Sequence, residues 1–342
     1  MNIVAQPLVS IVVPAYNEAK HIRECIESLL VQTYQNWECI IANNCSTDDT
    51  GAIARQYAAK DPRVRVYDNE EFLRAVPNFN QALRRISSSS KYCKIVFADD
   101  WIFPECLEKM VEVAEEYPSI GIVGAYGLQG RQVMWAGLPY PSRHIPGREI
   151  CRKLFLEDLY VFGTGTSLLF RSEVVRMYDP FYNEANLHAD SEICCVLMKA
   201  WDFGFVNQVL SYTRVREGSL FAFSTKMNTF IAGRLHDLVT HGQDYLTAEE
   251  YKSCLDSKMS EYYDFLARNL TRRRGSKFWE YHKQKLTEAK VGFDRIRLYR
   301  AFGAKLLDAL LNPKTTLEKL LKKPGKHDPT FLPGFQENPQ AR

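Results

Sequence analysis

The run Leu8-Val9-Ser10-Ile11-Val12-Val13 is almost continuously apolar and predicts a buried β-strand, ended by Pro14 before a polar turn at Tyr16 and Asn17. Next, Ile22, Cys25, Ile26, Leu29 and Leu30 recur at i, i+3, i+4, i+7 and i+8. That spacing draws one stripe on a helix of 3.6 residues per turn, and the stripe must face a sheet. The alternation then repeats. A strand is predicted over Glu38–Ala42, a helix through Ile53 and Tyr57, and a strand over Val64–Tyr67. A helix follows with Phe79, Ala82, Leu83 and Ile86 on one face, then a strand over Cys93–Ala98. A helix over Pro104–Glu116 and a strand over Ile120–Ala125 complete this half. Strands alternating with amphipathic helices predict an α/β fold, a mainly parallel central sheet with helices on both faces and ligands beyond the carboxyl ends of its strands.

Past residue 126 the pattern loosens into a Gly/Pro-rich loop over Gly137–Gly147, a strand near Thr166–Phe170, a helix over Asp190–Trp201 and a strand over Val206–Tyr212. From Ser224 the periodicity is helical, broken at Arg272–Gly275 and at Pro313 and Pro324. The expected organisation is an α/β domain over 1–220, in two halves over about 7–125 and about 126–220. A helical basic extension over 221–323 and a disordered tail over 324–342 would follow.

Composition changes this picture in three places. A hydrophobic content of 46% over 342 residues is enough for a substantial core. Nine cysteines, an odd number without CxxC spacing, suit reduced buried thiols rather than a disulfide framework or a zinc site. The net charge of +3 hides an asymmetry: 18 basic against 7 acidic residues over 268–342 leave that segment at +11 and the rest at −8. Such a basic segment suits an anionic surface. No basic leader precedes an apolar run and no segment of about 18 apolar residues occurs, so a cytoplasmic protein is expected.

Polar clusters follow the predicted strands. Pro14-Ala15-Tyr16-Asn17-Glu18 follows the first, Asn43-Asn44-Cys45-Ser46-Thr47-Asp48 the second and Asp99-Asp100 the fourth, while Asp190 begins a later helix. Adjacent Asp residues after a strand are by themselves more often a turn or a cap, and an acid at a helix start favours the helix dipole. Ser46–Asp49 reads as a helix start, which is also where phosphates are received. Trp101, Trp135 and Tyr140 are candidate stacking rings, but aromatic residues are more often packing.

Taken together and in order, VVPAYNE, NNCSTDDT, FADDWIFPE, GTGTSLLFRSEVV and HADSEICC make the chain resemble the family 2 glycosyltransferases over about residues 7–216. That resemblance implies a catalytic domain over 1–220 with the GT-A nucleotide-diphospho-sugar transferase fold, its first half on the donor side and its second on the acceptor side, and transfer of a sugar from a nucleotide diphosphate to an acceptor hydroxyl, inverting and metal-assisted. It implies that Pro14, Tyr16, Asn17, Glu18, Asn43, Asn44, Ser46, Asp99 and Arg216 form the nucleotide-sugar site, with Tyr16 and Glu18 at base and ribose and Asn43 touching the base. Asp99 and Asp100 would hold Mn²⁺ or Mg²⁺, and Asp190 would be the general base.

Two positions depart from the family pattern. Phe97 stands where many relatives carry a further Asp, and Arg216 where a metal-reaching histidine is expected; an arginine cannot ligate a cation but can neutralise a diphosphate. These departures keep alive an alternative, a catalytically silent member that binds a nucleotide sugar or a protein partner. The expected donor nucleotide is UDP, with GDP or dTDP as alternatives. The expected acceptor is a glycan or a lipid-linked acceptor of polysaccharide or glycoconjugate biosynthesis. In the basic C-terminal helices Leu298, Tyr299, Phe302, Leu306, Ala309 and Leu310 recur on one helical face, which suits either an anionic membrane at its inner face or packing on the catalytic domain, and no nucleic acid is expected because no binding motif accompanies the charge. The absence of GxGxxG after the first strand disfavours a Rossmann dehydrogenase, and the absence of a Gly-rich basic loop there disfavours a nucleotidyltransferase.

Overall fold

The structure, a computed structural model, describes residues 6–272 and 274–312. Its contacts divide the chain into two units, one of residues up to Leu154 with Leu159–Arg216, the other of Phe155–Asp158 with the chain from Glu217. The tail expected over 324–342 lies outside the described residues, as does the end of the expected extension.

The first unit contains β1 (Val9–Ala15), α1 (Ile22–Leu30), β2 (Trp37–Asn43), α2 (Thr50–Ala58), β3 (Val64–Asp68), α3 (Ala75–Leu83), β4 (Tyr92–Ile95), β5 (Trp101–Ile102) and α4 (Cys106–Glu116). It continues through β6 (Ile120–Gln129), β7 (Gln132–Met134), β8 (His144–Ile145), α5 (Gly147–Glu157, whose last three residues count with the second unit), β9 (Leu169–Arg171), α6 (Ser172–Arg176), α7 (Ala189–Leu197) and β10 (Asp202–Thr213). The strands form one sheet in the order β3-β2-β1-β4-β9-β6-β10-β5, with β7 added to β6 and β8 to β10. The longest pairings, β1 with β2 and β4, β2 with β3, and β6 with β10, are parallel. Three-residue β9 runs antiparallel between β4 and β6 and joins the two parallel halves.

All seven residues of β1 are buried, as a central strand covered on both faces requires. β1 runs through Pro14 to Ala15, one residue beyond the expected stop. The Val12 carbonyl accepts from Val96 on the β4 side, so Pro14, two residues on, faces that same side. Pairing with β4 ends at Val12, and the N–H that proline lacks has no ladder partner to lose there. Meanwhile Ala15 faces β2 and accepts from the Asn44 N–H at 2.8 Å.

The stripe expected on α1 is buried at Ile22, Cys25, Ile26 and Leu29. These pack with Ile11, Val13, Cys39 and Ile41 into the main core cluster. In α3 the reading fails in part. The helix ends at Leu83, before Ile86, and buries the polar Asn78 and Asn80 beside Ala82 and Leu83. Asn80 earns its place by clamping Tyr182: its Oδ1 accepts from the Tyr182 N–H at 2.8 Å and its Nδ2 donates to the Tyr182 carbonyl at 2.9 Å. The loop expected over Gly137–Gly147 contains β8, whose Ile145 pairs with Phe203.

The second unit is helical: α8 (Leu220–Met227), α9 (Thr229–Tyr245), α10 (Ala248–Leu270), α11 (Ser276–Glu288) and α12 (Arg295–Leu311). Tyr262, Tyr263, Phe265, Leu266, Phe278, Leu286 and Leu298 form its core. A capping box, in which Thr247 Oγ1 accepts from Glu250 N and Glu250 Oε2 accepts from Thr247 N, starts α10. His282 is enclosed between the Tyr262 hydroxyl at 2.7 Å and the Met227 carbonyl at 2.9 Å. Burial pulls its pKa down to about 4, so it is neutral across the physiological range. None of the nine cysteines is in a disulfide, and seven of them are buried.

Ile41 lies fully buried at the centre of β2, so Ile41→Ala should cost about 2–5 kcal/mol through lost burial and the cavity left behind. Urea unfolding should show the transition of the first unit moved to lower denaturant.

Candidate nucleotide-sugar site

At the carboxyl ends of β1 and β2 two polar loops are tied together residue by residue. The Asn17 N–H donates to Ser46 Oγ at 3.0 Å, and Asn17 Oδ1 accepts from the Thr47 N–H at 2.8 Å. The Glu18 N–H donates to Thr50 Oγ1 at 2.7 Å and the Ala19 N–H to Asp48 Oδ2 at 3.0 Å. Asn17 has φ of 53°, a left-handed conformation that Asn tolerates better than most residues, and its side chain holds the partner loop from that position. This cross-linking fixes where Tyr16 and Glu18 project. Tyr16 is exposed and meets exposed Phe72, with ring centroids 4.8 Å apart. Phe72, which sequence pattern did not single out, extends the aromatic surface that Tyr16 begins.

Asn43 and Asn44 are buried beneath that surface. Asn43 Nδ2 donates to Asp68 Oδ1 at 2.7 Å, while its Oδ1 is buried without a partner. Asn44 is fully engaged: its Oδ1 accepts from Asn69 Nδ2 and the Leu73 N–H, and its Nδ2 donates to the Leu73 carbonyl. Asn44 therefore shapes the loop carrying Phe72, and Asn43 is the one of the pair with an unused acceptor.

Beyond β4 the chain turns through Asp99 and Asp100. Asp100 is 2% exposed and accepts at both oxygens, from Thr166 Oγ1 at 2.7 Å and from the Arg214 N–H at 2.9 Å. Burial first, and then the negative charge of Asp99, push its pKa up to about 7. Thr166 also accepts from the Phe97 N–H, so one hydroxyl fixes both ends of the Phe97–Asp100 turn. Gly165 leaves room for that turn, since a Cβ there would stand 3.2 Å from the Phe97 ring. Phe97 itself packs on Phe79, whose ring meets Tyr182 edge-on; it is a packing residue of the turn.

Arg214 and Arg216 approach this turn from the end of β10. Arg214 Nε donates to the Asp99 carbonyl at 3.0 Å, its Nη2 contacts Glu24, and its guanidinium lies over Trp101. Trp101 is stacked on Tyr212 at 3.8 Å, so it is committed to packing. Arg216 Nε donates to Asp99 Oδ2 at 2.8 Å and its Nη2 donates to Glu18 Oε1. Burial first, then Asp99, push the Glu18 pKa up to about 7, against the lowering pull of Arg216. Burial works against the Arg216 charge, but hydrogen bonds and charge from Asp99 and Glu18 outweigh it and hold its pKa above the ordinary arginine value. His21, at the start of α1, is held below its usual range by burial and by the Arg214 and Arg216 charges.

The residues do not fit the Asp99–Asp100 cation pair expected from the resemblance. Both Asp100 oxygens are taken by protein donors, and Asp99 Oδ2 carries the Arg216 guanidinium. Among the described residues no group of three or more His, Cys, Asp or Glu side chains is placed to hold a metal ion.

Asp190 is positioned by other elements. Glu192, one turn into α7, accepts from Asn183 Nδ2 and Asn186 Nδ2 and so pins the loop entering the helix. Asp190 Oδ1 accepts from the Ser191 N–H at 3.0 Å. Asp190 is half-buried as a residue, and burial pushes its pKa up to about 6. A carboxylate poised there is matched to proton acceptance near neutral pH.

Residues 10–178 match the family described as "Glycosyl transferase family 2". The putative teichuronic acid biosynthesis glycosyltransferase TuaG of Bacillus subtilis (strain 168) is 37% identical over 111 residues, 32% of this chain and 43% of that protein. Such matches span about half or less of those curated relatives' length. The crystal structure of S. aureus TarS 1–349 in complex with UDP-GlcNAc is similar at a TM-score of 0.61 and 16% identity, covering 86% of each chain. The mannosyltransferase PcManGT from Pyrobaculum calidifontis in complex with GDP-Man and Mn²⁺ is similar at a TM-score of 0.56 and 16% identity, over 90% of this chain and 87% of that one. These structural likenesses show the fold.

Thr166→Val deletes the hydrogen bonds at both ends of the Phe97–Asp100 turn while keeping its shape. It should destabilise the protein by about 1–3 kcal/mol, the cost of leaving buried partners unsatisfied, measured as a shift in urea midpoint. With motif order, fold and sequence similarity in agreement, the chain belongs, through residues 10–178, to glycosyl transferase family 2 and has the GT-A fold.

Proposed function

We propose that the protein transfers a sugar from a nucleotide diphosphate to an acceptor hydroxyl with inversion at the anomeric carbon. The observation that carries this reading is the meeting of Glu18, Asp99, Arg214 and Arg216 at the ends of β1, β4 and β10, where open α/β sheets receive ligands. Tyr16 and Phe72 offer a stacking surface for a base, and Glu18 an acceptor for ribose hydroxyls. Asp190 takes the proton of the acceptor hydroxyl as that oxygen bonds to the anomeric carbon. The carbon–oxygen bond to the diphosphate breaks, and its electron pair stays with the departing nucleotide. A positioned base of this kind contributes about 10²–10⁴ in rate. UDP is the first nucleotide to test, since TarS was solved with UDP-GlcNAc; GDP and dTDP sugars follow. The likeness to TuaG supports a polysaccharide or glycoconjugate acceptor.

Nucleotide release from UDP-, GDP- and dTDP-sugars tests the reading. Asp190→Asn should lose about 10²–10⁴ of acceptor-stimulated release. Because Asp190 must be ionised to accept a proton, activity of the unmodified protein should fall as pH drops through about 6. Donor binding without release, even with cell-extract acceptors, would identify the silent binding member that Phe97 and Arg216 raise as the alternative.

α12 supports a peripheral membrane site. The sequence suggested one apolar face through Leu298, Tyr299, Phe302, Leu306, Ala309 and Leu310, but the helix divides it. Leu298 is buried and Phe302 packs on the helical core, whereas Ile296, Tyr299, Leu306, Leu307, Leu310 and Leu311 form an exposed stripe. Arg295 and Arg300 are exposed on the same helix, and Lys314, Lys319, Lys322 and Lys323 follow in the sequence. An apolar stripe flanked by basic residues suits an anionic bilayer surface. None of the described helices is long and apolar enough to cross a membrane. The protein should sediment with phosphatidylserine vesicles and less with phosphatidylcholine alone, and Leu306→Glu with Leu310→Glu should abolish that binding. Equal sedimentation of the double variant would refute the site.

A further inference from the structure

Arg216 stands where a cation shared by two carboxylates would stand. Its guanidinium bridges Asp99, at the turn after β4, and Glu18, beyond β1, from a position 117 and 198 residues further along the chain. It is also the outermost member of the trio: its side chain is 31% exposed, against 18% for Asp99 and 12% for Glu18. A ligand arriving from solvent meets the positive group first. Behind it Asp100 is closed off by Thr166 and the Arg214 backbone, and Arg214 adds a second guanidinium beside the Asp99 carbonyl.

A divalent ion placed on Asp99 would have to displace a guanidinium that stays tethered a few bonds away and repels it. An arginine, in contrast, is always charged and binds phosphate oxygens through planar N–H pairs. Resting on the transferase reading above, we infer that Arg216 is the resident cation of the donor site, neutralising the diphosphate during departure so that transfer proceeds without a divalent metal. In that step the anomeric carbon–oxygen bond breaks, its electron pair moves onto the diphosphate oxygen, and Arg216 stabilises the charge that develops there. The acceptor proton goes to Asp190.

Two measurements on the purified full chain test this. Nucleotide release from the donor panel is followed in EDTA and in Mn²⁺, and binding of UDP, GDP and dTDP is measured by calorimetry in EDTA. The expected result is release unchanged by EDTA, with kcat lowered about 10²–10³ in Arg216→Met, the loss typical of removing one charge-stabilising donor. Nucleoside-diphosphate binding in EDTA should weaken in the same variant, while Arg216→Lys, which keeps the charge and serves as the folding control, should retain part of both. Arg216→His, which replaces the cation with a neutral metal ligand beside Asp99, should recover release only with Mn²⁺. Loss of wild-type release in EDTA with recovery in Mn²⁺ would overturn the inference, as would diphosphate binding in EDTA unaffected by Arg216→Met. Failure of the transferase reading is seen separately, as no release from any donor while Arg216-dependent diphosphate binding persists and upholds the cation's role.

Discussion

Three carboxylates, Glu18, Asp99 and Asp100, crowd the end of the central sheet, and the arrangement holds because Arg214 and Arg216 reach into it from the end of β10. Without those contacts the cluster would combine burial with like-charge repulsion, the two effects that already raise Glu18 and Asp100 to about 7. The contacts also have a topological effect. They tie the parallel half containing β1 and β4 to the half containing β6 and β10, across the short antiparallel β9. One electrostatic constraint thus assembles the candidate site and joins the two halves of the sheet.

Rigidity at the site comes from small polar side chains. Asn17, Ser46, Thr47, Asp48 and Thr50 cross-link the loops after β1 and β2, and Thr166 braces the turn that carries Asp99 and Asp100. Such braces keep binding groups oriented before a ligand arrives, which is how binding energy is kept for the transition state. Asp190 is braced separately, through Glu192 on the loop entering α7.

Elements with strong local patterns were legible in the sequence. The α1 stripe and the two-sided burial of β1 follow from periodicity alone, and the parallel half from their repetition. β9 was not legible as an antiparallel link, because three residues carry no period and orientation is set by the strands on either side. The buried Asn78 and Asn80 were missed because helix patterning counts apolar positions, while Asn80 is buried to bond Tyr182. The motifs singled out Glu18, Asp99, Asp100, Asp190 and Arg216, but not which of them pair. Arg214 and Arg216 sit more than 110 residues from the Asp pair, and nothing local marks Phe72 as the ring that meets Tyr16. The burial of Asp100 and the donors that take both of its oxygens are what a linear motif does not record.

The central claim is that a nucleoside diphosphate sits against Arg216 at the ends of β1 and β4. A crystal structure of the protein grown with UDP and Mn²⁺ tests it most directly. The account predicts the base beside Tyr16, phosphate oxygens within hydrogen-bonding distance of the Arg216 guanidinium, and Asp100 still bonded to Thr166. A diphosphate bridged to Asp99 and Asp100 by Mn²⁺, with Arg216 turned away, would contradict it.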